Sequence, residues 1–389
     1  MNSSILDKSI QDFILNYSNP LSKLAFEGSP FLKVTNRELI QQIESRRKIE
    51  IKLPTWYKNK FIFYPPKINI EQTSSEHTAR YKASLISGET LADITGGFGV
   101  DTYYFSKEVN AVDHFELNNE LSRIAKHNFN ILGNKNIHCF SKNGMNTVLK
   151  KKYDVVYADP SRRNDKKGKV YLLEDCEPNI LKHIPQLLEK SNVLMLKTSP
   201  MLDISAGLKE LRSVFQIHIV AVNNEVKELI WLLSKDAALQ PDVYTINIKN
   251  SSSEKFRFQW NTQSETLYDI PLKYLYEPNA AILKSGAFGL LSREFKVKKL
   301  QKHSHLYTSN TLQEFPGRRF LITNVIPYTK SSIRQTIGFK KANITTRNFP
   351  ESVASLRKRW KFNDGGDDYL FFTTLENQKK IVIVCSKVT

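Results

Sequence analysis

The hydrophobic and polar positions of the first 70 or so residues follow the period of amphipathic helices. The segment "TNRELIQQIESRRK" contains Thr35 and Glu38, a pair typical of a capping box. The same segment places Leu39 and Ile43 on one side of the predicted helix. A further helix is predicted at "TSSEHTARYKASLI", where serine and threonine precede the first turn. We therefore expect a helical N-terminal region over residues 1–72.

From Leu91 the period changes, and short apolar runs alternate with helical patterns. The runs "LADI", "VNAVDHF", "NIHCF", "YDVVYAD" and "SNVLMLK" are each followed by a segment with helical spacing. This alternation predicts an α/β fold, in which a parallel sheet carries helices on both faces. The next runs, "VFQIHIVAV" and "VKELIWLLS", are separated only by the polar "NNE". That spacing predicts an antiparallel hairpin, and hence a doubly wound sheet whose last strand is reversed.

The C-terminal part of the chain has a mixed pattern. After Ser234, the polar stretch "KNSSSEKFRFQWNTQSE" is typical of a linker followed by an edge hairpin. Strands are predicted at "RRFLITNVI", "YLFFTT" and "KKIVIVCSK", with a helix near residues 352–360. We expect an α+β domain, in which a small sheet carries helices on one face.

The distribution of charge indicates a polyanionic partner. The 389 residues carry a net charge of +18, and the segment from Lys273 to the end holds 21 Lys and Arg against 8 Asp and Glu. Less than a third of the chain therefore carries most of the excess charge, which favours a nucleic-acid-binding region. A solvated lysine-rich surface is the alternative.

Several classes of protein are disfavoured by the rest of the sequence. No apolar window is long enough to cross a bilayer, and the N-terminus lacks the continuous apolar region of a signal peptide. The cysteines, Cys139, Cys176 and Cys385, are widely separated and show no metal-ligand spacing. We expect a cytoplasmic protein with no bound metal and no membrane contact.

The turn after the first predicted strand, "LADITGGFGVD", favours a nucleoside-type ligand. In an open parallel sheet this turn lies where ligands bind, and glycines at Gly97 and Gly99 permit close approach. Glu116 follows the next strand, 23 residues after Asp93, where an acid would reach ribose hydroxyls. A purely structural turn is the alternative for the glycines. Asp101 at the start of the next helix would repel phosphate, and it suits an ammonium or a hydroxyl group.

These residues resemble a known family. "DITGGFGVD" is similar to the first motif of class I S-adenosylmethionine-dependent methyltransferases, and "FELNNEL" is similar to their second motif. The resemblance implies a seven-stranded, Rossmann-like methyltransferase core with a reversed last strand. It also implies that Asp93 and the glycine turn hold the methionine moiety and that Glu116 binds the ribose. Asn143 stands where the family usually has an acid near the adenine. The implied cofactor set is Asp93, Thr95, Gly97, Phe98, Gly99, Asp101, Glu116 and Asn143.

The fourth strand of that fold ends beside the methyl donor, which places "ADPSRR" at the reaction centre. Related amine methyltransferases carry Asp/Asn-Pro-Pro and an aromatic residue there, whereas this chain has Asp159 and Pro160 followed by Ser161. We expect Asp159 to orient or deprotonate the acceptor. Arg162 and Arg163 are suited to clamp a phosphate or stack on a base. A structural turn, with the arginines paired to the acids of "EDCE", is the alternative.

Five other segments resemble a narrower group, bacterial methyltransferases with a ferredoxin-like piece and a THUMP-like domain. They are "SSEHTARYKA", "YLLEDCEPNI", "LKTSPMLDI", "YLYEPNAAILKSGAFG" and "LRKRWKFNDGGDDYLF". The resemblance implies a methyltransferase domain over residues 73–248, a ferredoxin-like subdomain over 272–316 and a THUMP-like domain over 317–389. THUMP domains are associated with RNA-modifying enzymes, which implies that the substrate is RNA, either tRNA or rRNA.

The helix in "SVASLRKRWKFNDGG" independently suits RNA. It combines cationic side chains with an aromatic ring, a pattern typical of phosphate contacts and base stacking, in Arg357, Lys358, Arg359, Trp360 and Lys361. Core packing is the alternative for the tryptophan. Lys197, after the fifth strand, is interpreted as surface charge, and Cys139 as a buried small residue.

The sequence therefore predicts methyl transfer from S-adenosylmethionine to an RNA base. Two alternatives stay open: a methyltransferase acting on a small molecule or a protein, and an RNA-binding protein whose methyltransferase fold is inactive.

Overall fold

The structure is a computed structural model that describes residues 1–162, 173–238, 240–250 and 252–388. The chain forms two compact units. The first contains Met1–Ile217 and Lys227–Pro241, and the second contains His218–Val226 and Asp242–Thr389. The predicted domain boundaries at residues 72, 248 and 316 stay predictions.

The N-terminal region is helical. A 3-10 turn at Ser3–Leu6 precedes six helices: α1 (Lys8–Asn16), α2 (Leu21–Glu27), α3 (Asn36–Lys52), α4 (Pro54–Lys58), α5 (Lys67–Gln72) and α6 (Glu76–Ala83). The predicted capping box is present at the start of α3, where Thr35 Oγ1 accepts from the Glu38 amide and the Glu38 carboxylate accepts from the Thr35 amide. The Ser75 side chain caps α6 in the same way, accepting from Thr78 N.

The middle of the chain alternates strands and helices. Its strands are β1 (Thr90–Asp93), β2 (Ala111–Phe115), β3 (Ile137–Phe140), β4 (Tyr153–Ala158), β5 (Ser161–Arg162), β6 (Cys176–Glu177), β7 (Ser191–Thr198), β8 (Val214–Val222), β9 (Glu225–Leu233), β10 (Asp242–Ile248) and β11 (Ser253–Gln259). Its helices are α7 (Val100–Phe105), α8 (Asn119–Ile131), α9 (Gly144–Val148), α10 (Ile184–Lys190) and α11 (Ile204–Glu210), with 3-10 turns at Leu173–Asp175 and Ile180–His183.

The large sheet confirms the predicted topology. Its order is β11-β10-β8-β9-β7-β4-β1-β2-β3. Strands β3, β2, β1, β4 and β7 run parallel to one another, and β9 is antiparallel to β7. Asn223 and Asn224, both with positive φ, form the tight turn between β8 and β9. The described sheet has nine strands because the hairpin of β10 and β11 extends the predicted seven.

The second sheet lies in the C-terminal part of the chain. Its strands, in the order β13-β14-β12-β15-β18-β17-β16, are β12 (Tyr274–Pro278), β13 (Lys298–Lys299), β14 (Tyr307–Ser309), β15 (Gly317–Pro327), β16 (Asn343–Arg347), β17 (Asp368–Thr374) and β18 (Lys380–Lys387). The helices are α12 (Ala280–Ser285), α13 (Phe288–Glu294), α14 (Lys330–Thr336) and α15 (Val353–Trp360). Alternate residues of β17 face opposite sides: Leu370 and Phe372 pack with Ile333 of α14 and Leu356 of α15, whereas Phe371 packs in a separate cluster. The α+β prediction is confirmed.

Candidate active site

A cleft of about 1260 Å³ lies at the carboxyl ends of β1, β2 and β4. Parallel strands end at this edge of the sheet, which is where open α/β folds bind ligands. The structure brings most of the predicted cofactor and acceptor residues together here. The predicted residues that line the cleft are Asp93, Thr95, Gly97, Phe98, Asp101, Glu116, Asn143, Asp159, Pro160 and Ser161.

The turn after β1 requires its glycines. Gly97 and Gly99 have φ values of 55° and 86°, in the left-handed region that L side chains rarely adopt. A Cβ on Gly99 would lie 2.3 Å from Cζ of Phe129, and one on Gly96 would lie 2.2 Å from Nε2 of the buried His114. At Gly97 the nearest atom to such a Cβ is 3.8 Å away, so the cleft side of the turn is open.

Asp93 ends β1 as a buried carboxylate, 1% exposed. It accepts hydrogen bonds from Thr95 N at 3.1 Å and from Thr102 Oγ1 at 2.6 Å. Burial raises the pKa of Asp93 to about 7, although the hydrogen bonds from Thr102 and Thr95 oppose that increase. Near neutral pH this group is therefore poised between its charged and neutral forms.

Glu116 joins the end of β2 to the glycine turn. Its Oε2 accepts from Gly97 N at 2.9 Å, and its Oε1 accepts from Asn118 N at 2.7 Å. These bonds fix the carboxylate at the wall of the cleft. Asn143 caps α9, where its side chain accepts from Asn146 N at 3.2 Å.

Asp101 belongs to a buried network that the sequence did not reveal. Its Oδ2 accepts from Ser74 Oγ at 2.8 Å and from Tyr157 Oη at 2.9 Å. Lys82, with no exposed surface, places its Nζ 3.2 Å from Asp101 Oδ1 and 2.7 Å from Glu228 Oε1. Burial alone would raise the pKa of Asp101, but Lys82 holds it below its usual value. The sequence suggested that Asp101 faces an ammonium or a hydroxyl group, and in the structure the ammonium group is that of the Lys82 side chain.

Asp159 forms an ion pair with Lys197. The Lys197 ammonium donates to Asp159 Oδ2, and the Asp159 amide donates to Thr95 Oγ1 at 2.7 Å. The interpretation of Lys197 as surface charge was wrong, because its side chain is only 13% exposed and lines the cleft. Burial opposes its charge, but attraction to Asp159, Glu228 and Asp101 raises the pKa of Lys197 above its usual value.

The segment after Asp159 turns into the short strand β5. Pro160 and Ser161 line the cleft, and the backbone of Arg162 pairs with Cys176 in β6. The side chain of Arg162 and the whole of Arg163 lie outside the described residues. Their predicted role in holding the acceptor stays a prediction.

The basic helix α15 divides its cationic side chains between protein contacts and solvent. Arg357 donates to Asp364, and Arg359 donates to Glu351 at 3.0 Å. Lys358 and Lys361 are exposed. Trp360 is only partly buried; it packs against the core of the C-terminal sheet, with its ring 6.2 Å from that of Tyr328. The packing alternative for this tryptophan therefore has direct support.

Neither a membrane-spanning helix nor a metal cluster is present in the described ranges. No helix in them combines the length and the apolar character needed to span a bilayer. No group of three or more His, Cys, Asp or Glu side chains in the same ranges has a geometry that could hold a metal ion.

Comparisons with known proteins agree with this architecture. Residues 274–316 match a family model described as a ferredoxin-like domain, and residues 317–387 match one described as THUMP domain-like. The comparison with curated proteins gives no match.

Among solved structures, the chain resembles a protein from Porphyromonas gingivalis W83 that is named a methyltransferase. The two are 30% identical, with a TM-score of 0.88, and the match covers 98% of this chain and 99% of the other. A methyltransferase-named protein from Streptococcus mutans in complex with SAH is 16% identical, with a TM-score of 0.30, over 40% of this chain and 97% of that one. At this identity and TM-score, the second match carries no argument about function. The chain belongs to the family of the P. gingivalis protein, that of methyltransferases with C-terminal ferredoxin-like and THUMP-like domains.

Proposed function

We propose that the protein transfers a methyl group from S-adenosylmethionine to a base of RNA, either tRNA or rRNA. The observation that carries this proposal is the cleft in which the glycine turn, Glu116 and Asp159 meet. Two carboxylates and an open backbone turn lie on one side of it, and Asp159 with its lysine lies at the end of the neighbouring strand.

The residues on the cofactor side of the cleft are suited to S-adenosylmethionine. Glu116 is held by two backbone amides, so its carboxylate is fixed where it would accept from ribose hydroxyls. The open face of Gly97 leaves room for close approach, and Asp93 ends the strand beside it. The cofactor supplies a methyl group on a sulfonium centre, which the anionic wall would favour over a phosphate ligand.

Asp159 would orient the acceptor. One oxygen of its carboxylate accepts from Lys197, and the side chain keeps about a third of its surface exposed at the cleft. A carboxylate in this position accepts a hydrogen bond from an N–H group and directs the nitrogen lone pair. As the new nitrogen–carbon bond forms, the sulfur–carbon bond breaks, and the sulfur keeps the bonding electron pair. Positioning of the two reactants supplies most of the rate enhancement.

RNA is supported as the acceptor by the C-terminal part of the chain. Its match to a THUMP-like family coincides with a strong excess of Lys and Arg. We infer that Lys358 and Lys361 contact phosphates, because both are exposed on the basic helix and its end. Arg357 and Arg359 join them if their pairs with Asp364 and Glu351 open, and Trp360 supports the helix from the core.

The test is transfer of labelled methyl from S-adenosylmethionine to total RNA from cells that lack this gene, with DNA and protein fractions treated in parallel. We expect label in RNA that disappears with the Asp159→Ala variant. Lys151→Met is the control, because Lys151 pairs with Asp113 at 3.0 Å and does not line the cleft. Nuclease mapping would then identify the methylated nucleotide.

Other outcomes separate the alternatives. Label in protein, or in no fraction although the cofactor binds, would overturn RNA as the acceptor and favour a protein or a small molecule. Absence of both label and cofactor binding would overturn the enzymatic function and leave an RNA-binding protein.

A further inference from the structure

Two lysines lie under the acceptor side of the cleft. Lys82 is fully buried and donates to Ser74 Oγ at 3.0 Å and to both oxygens of Glu228, at 2.7 and 2.9 Å. Lys197 is 13% exposed and binds Asp159. Buried lysines are rare unless paired, because removing an ammonium group from water is costly. Their presence beside the predicted reaction centre needs a specific explanation.

The sheet itself brings Lys197 to Asp159. Strands β4 and β7 are parallel neighbours, with Ala158 opposite Leu196. The next residue on each strand is therefore Asp159 on one side and Lys197 on the other, so their charged groups meet at the strand ends. The pair lies at the same edge as the glycine turn, since Asp159 N is bonded to Thr95.

Resting on the proposed function, we propose that Lys197 is a positioning residue that acts through Asp159. It holds one carboxylate oxygen of Asp159 and thereby directs the other toward the methyl acceptor. It also supplies the counter-charge of this partly buried carboxylate.

The surrounding charges support this role. Lys197 is attracted by Glu228 and Asp101 as well as by Asp159, and these attractions outweigh the effect of burial. Lys82 also forms ion pairs with Glu228 and Asp101. The lysine that faces Asp159 is thus held in its charged form by the same network. Removing it would leave a partly buried carboxylate without its counter-charge and free to rotate.

Acceptor chemistry follows from this arrangement. Because Asp159 Oδ2 accepts from Lys197, the other oxygen of the carboxylate can accept a hydrogen bond from the methyl acceptor. It suits a nitrogen that carries an N–H and attacks through its own lone pair. The proton leaves to water after the methyl group has been transferred.

A double-mutant cycle tests the proposal. The variants are Lys197→Met, Asp159→Asn and the two combined, with Lys197→Arg as the conservative variant and Lys151→Met as the control. We expect Lys197→Met to lower kcat for RNA by on the order of 10-fold, and the dissociation constant for S-adenosylmethionine to change by less than about threefold. In the Asp159→Asn background, we expect the same lysine change to cause no further loss. Lys197→Arg should recover part of the activity, because it keeps the charge.

The readouts separate the possible failures. Losses that multiply in the double variant would overturn the proposal, because Lys197 would then act independently of Asp159. A Lys197→Met protein with a lowered melting temperature and weakened cofactor binding would also overturn it, since the role would then be structural. If the wild-type protein methylates no RNA, the proposed function fails and this inference fails with it. If the wild-type protein methylates RNA but the losses of the two single variants multiply in the double variant, the role of Lys197 is overturned and the proposed function stands.

Discussion

At the scale of single residues, we expect the charge state of Asp93 to make cofactor binding depend on pH. The carboxyl group is buried beside Asp101 and Asp159, and only Thr95 and Thr102 donate hydrogen bonds to it within the described residues. Burial raises its pKa to about 7. Under the proposed function, the cationic end of S-adenosylmethionine would favour the ionised form of this group.

We expect the affinity for S-adenosylmethionine to rise with pH between 6 and 8. Only the ionised Asp93 attracts a cation, and with a pKa of about 7 it is mostly protonated at the lower pH. The affinity should change roughly tenfold over this range. Titration calorimetry at several pH values measures it, and the Asp93→Asn variant should bind weakly with little pH dependence. Equal wild-type affinity at pH 6 and pH 8 would contradict this interpretation.

The same group predicts an effect on stability. A carboxyl whose pKa is raised on folding favours the folded state at low pH, and that contribution is lost as pH rises from about 4 to about 7. Asp93→Asn removes the charge, so the cofactor-free variant should gain stability relative to wild type over this range. The gain should be on the order of 1 kcal/mol per pH unit. Urea unfolding at pH 5 and pH 8 measures the difference, and a constant difference between the two proteins would argue against it.

The positions of the carboxylates that line the cleft were predictable from the sequence, whereas the ion pairs of Lys82 and Lys197 were not. Asp93 and Glu116 follow apolar runs at the ends of neighbouring strands, so their position depends on local pattern. Glu228 lies 146 residues from Lys82, and Asp159 lies 38 residues from Lys197. The sequence around a lysine is the same in kind whether its side chain is buried or exposed. Nothing near Lys82 or Lys197 in the sequence therefore indicates that they form buried ion pairs.

At the scale of elements, the turn between β1 and α7 depends on a close contact with α8. Gly99 combines a φ of 86° with a contact of 2.3 Å between its potential Cβ and Phe129 Cζ. Gly133 has a similar φ of 78°, but no atom lies within 4 Å of its potential Cβ. Substitutions at these two glycines therefore distinguish the effect of backbone strain from the effect of steric contact with α8.

We expect Gly99→Ala to weaken cofactor binding by at least about tenfold, because the turn must move away from α8. Gly133→Ala should destabilise the fold by about 1 kcal/mol and leave the affinity for S-adenosylmethionine unchanged. Calorimetry with both variants makes the comparison. Equal affinities would show that the turn tolerates displacement and does not form the cofactor site.

The elements themselves were largely predictable. Apolar runs of four to nine residues between helical patterns gave the strands of the large sheet, and "NNE" gave the turn where Asn223 and Asn224 adopt positive φ. The pairing of β5 with β6 was not predictable, because each has only two residues. Their position depends on the tertiary contacts around them.

At the scale of the whole molecule, the positive charge is concentrated in the C-terminal unit. From Lys273 onward there are 21 Lys and Arg and 8 Asp and Glu. A polyanion bound there releases counterions, so its affinity depends steeply on salt.

We expect the double variant Lys358→Glu, Lys361→Glu to bind RNA more weakly than wild type. The slope of log affinity against log salt should fall by about 0.7 for each phosphate that no longer pairs with a lysine. Lys8→Glu, Lys23→Glu is the matched control, because it changes the net charge equally at exposed lysines of the N-terminal region. Filter binding at several salt concentrations measures the slopes. Equal salt slopes for the two double variants would indicate that RNA does not bind at Lys358 and Lys361.

The most direct test of the account is the binding of S-adenosylmethionine to the 389-residue chain by titration calorimetry, alongside the Glu116→Ala variant. We predict one site per chain with a dissociation constant below about 100 μM. In Glu116→Ala the affinity should fall by at least about tenfold, since the variant loses the carboxylate held by the Gly97 and Asn118 amides. Absence of binding up to about 1 mM, or equal affinity in the two proteins, would contradict the assignment of this cleft as a methyl-donor site.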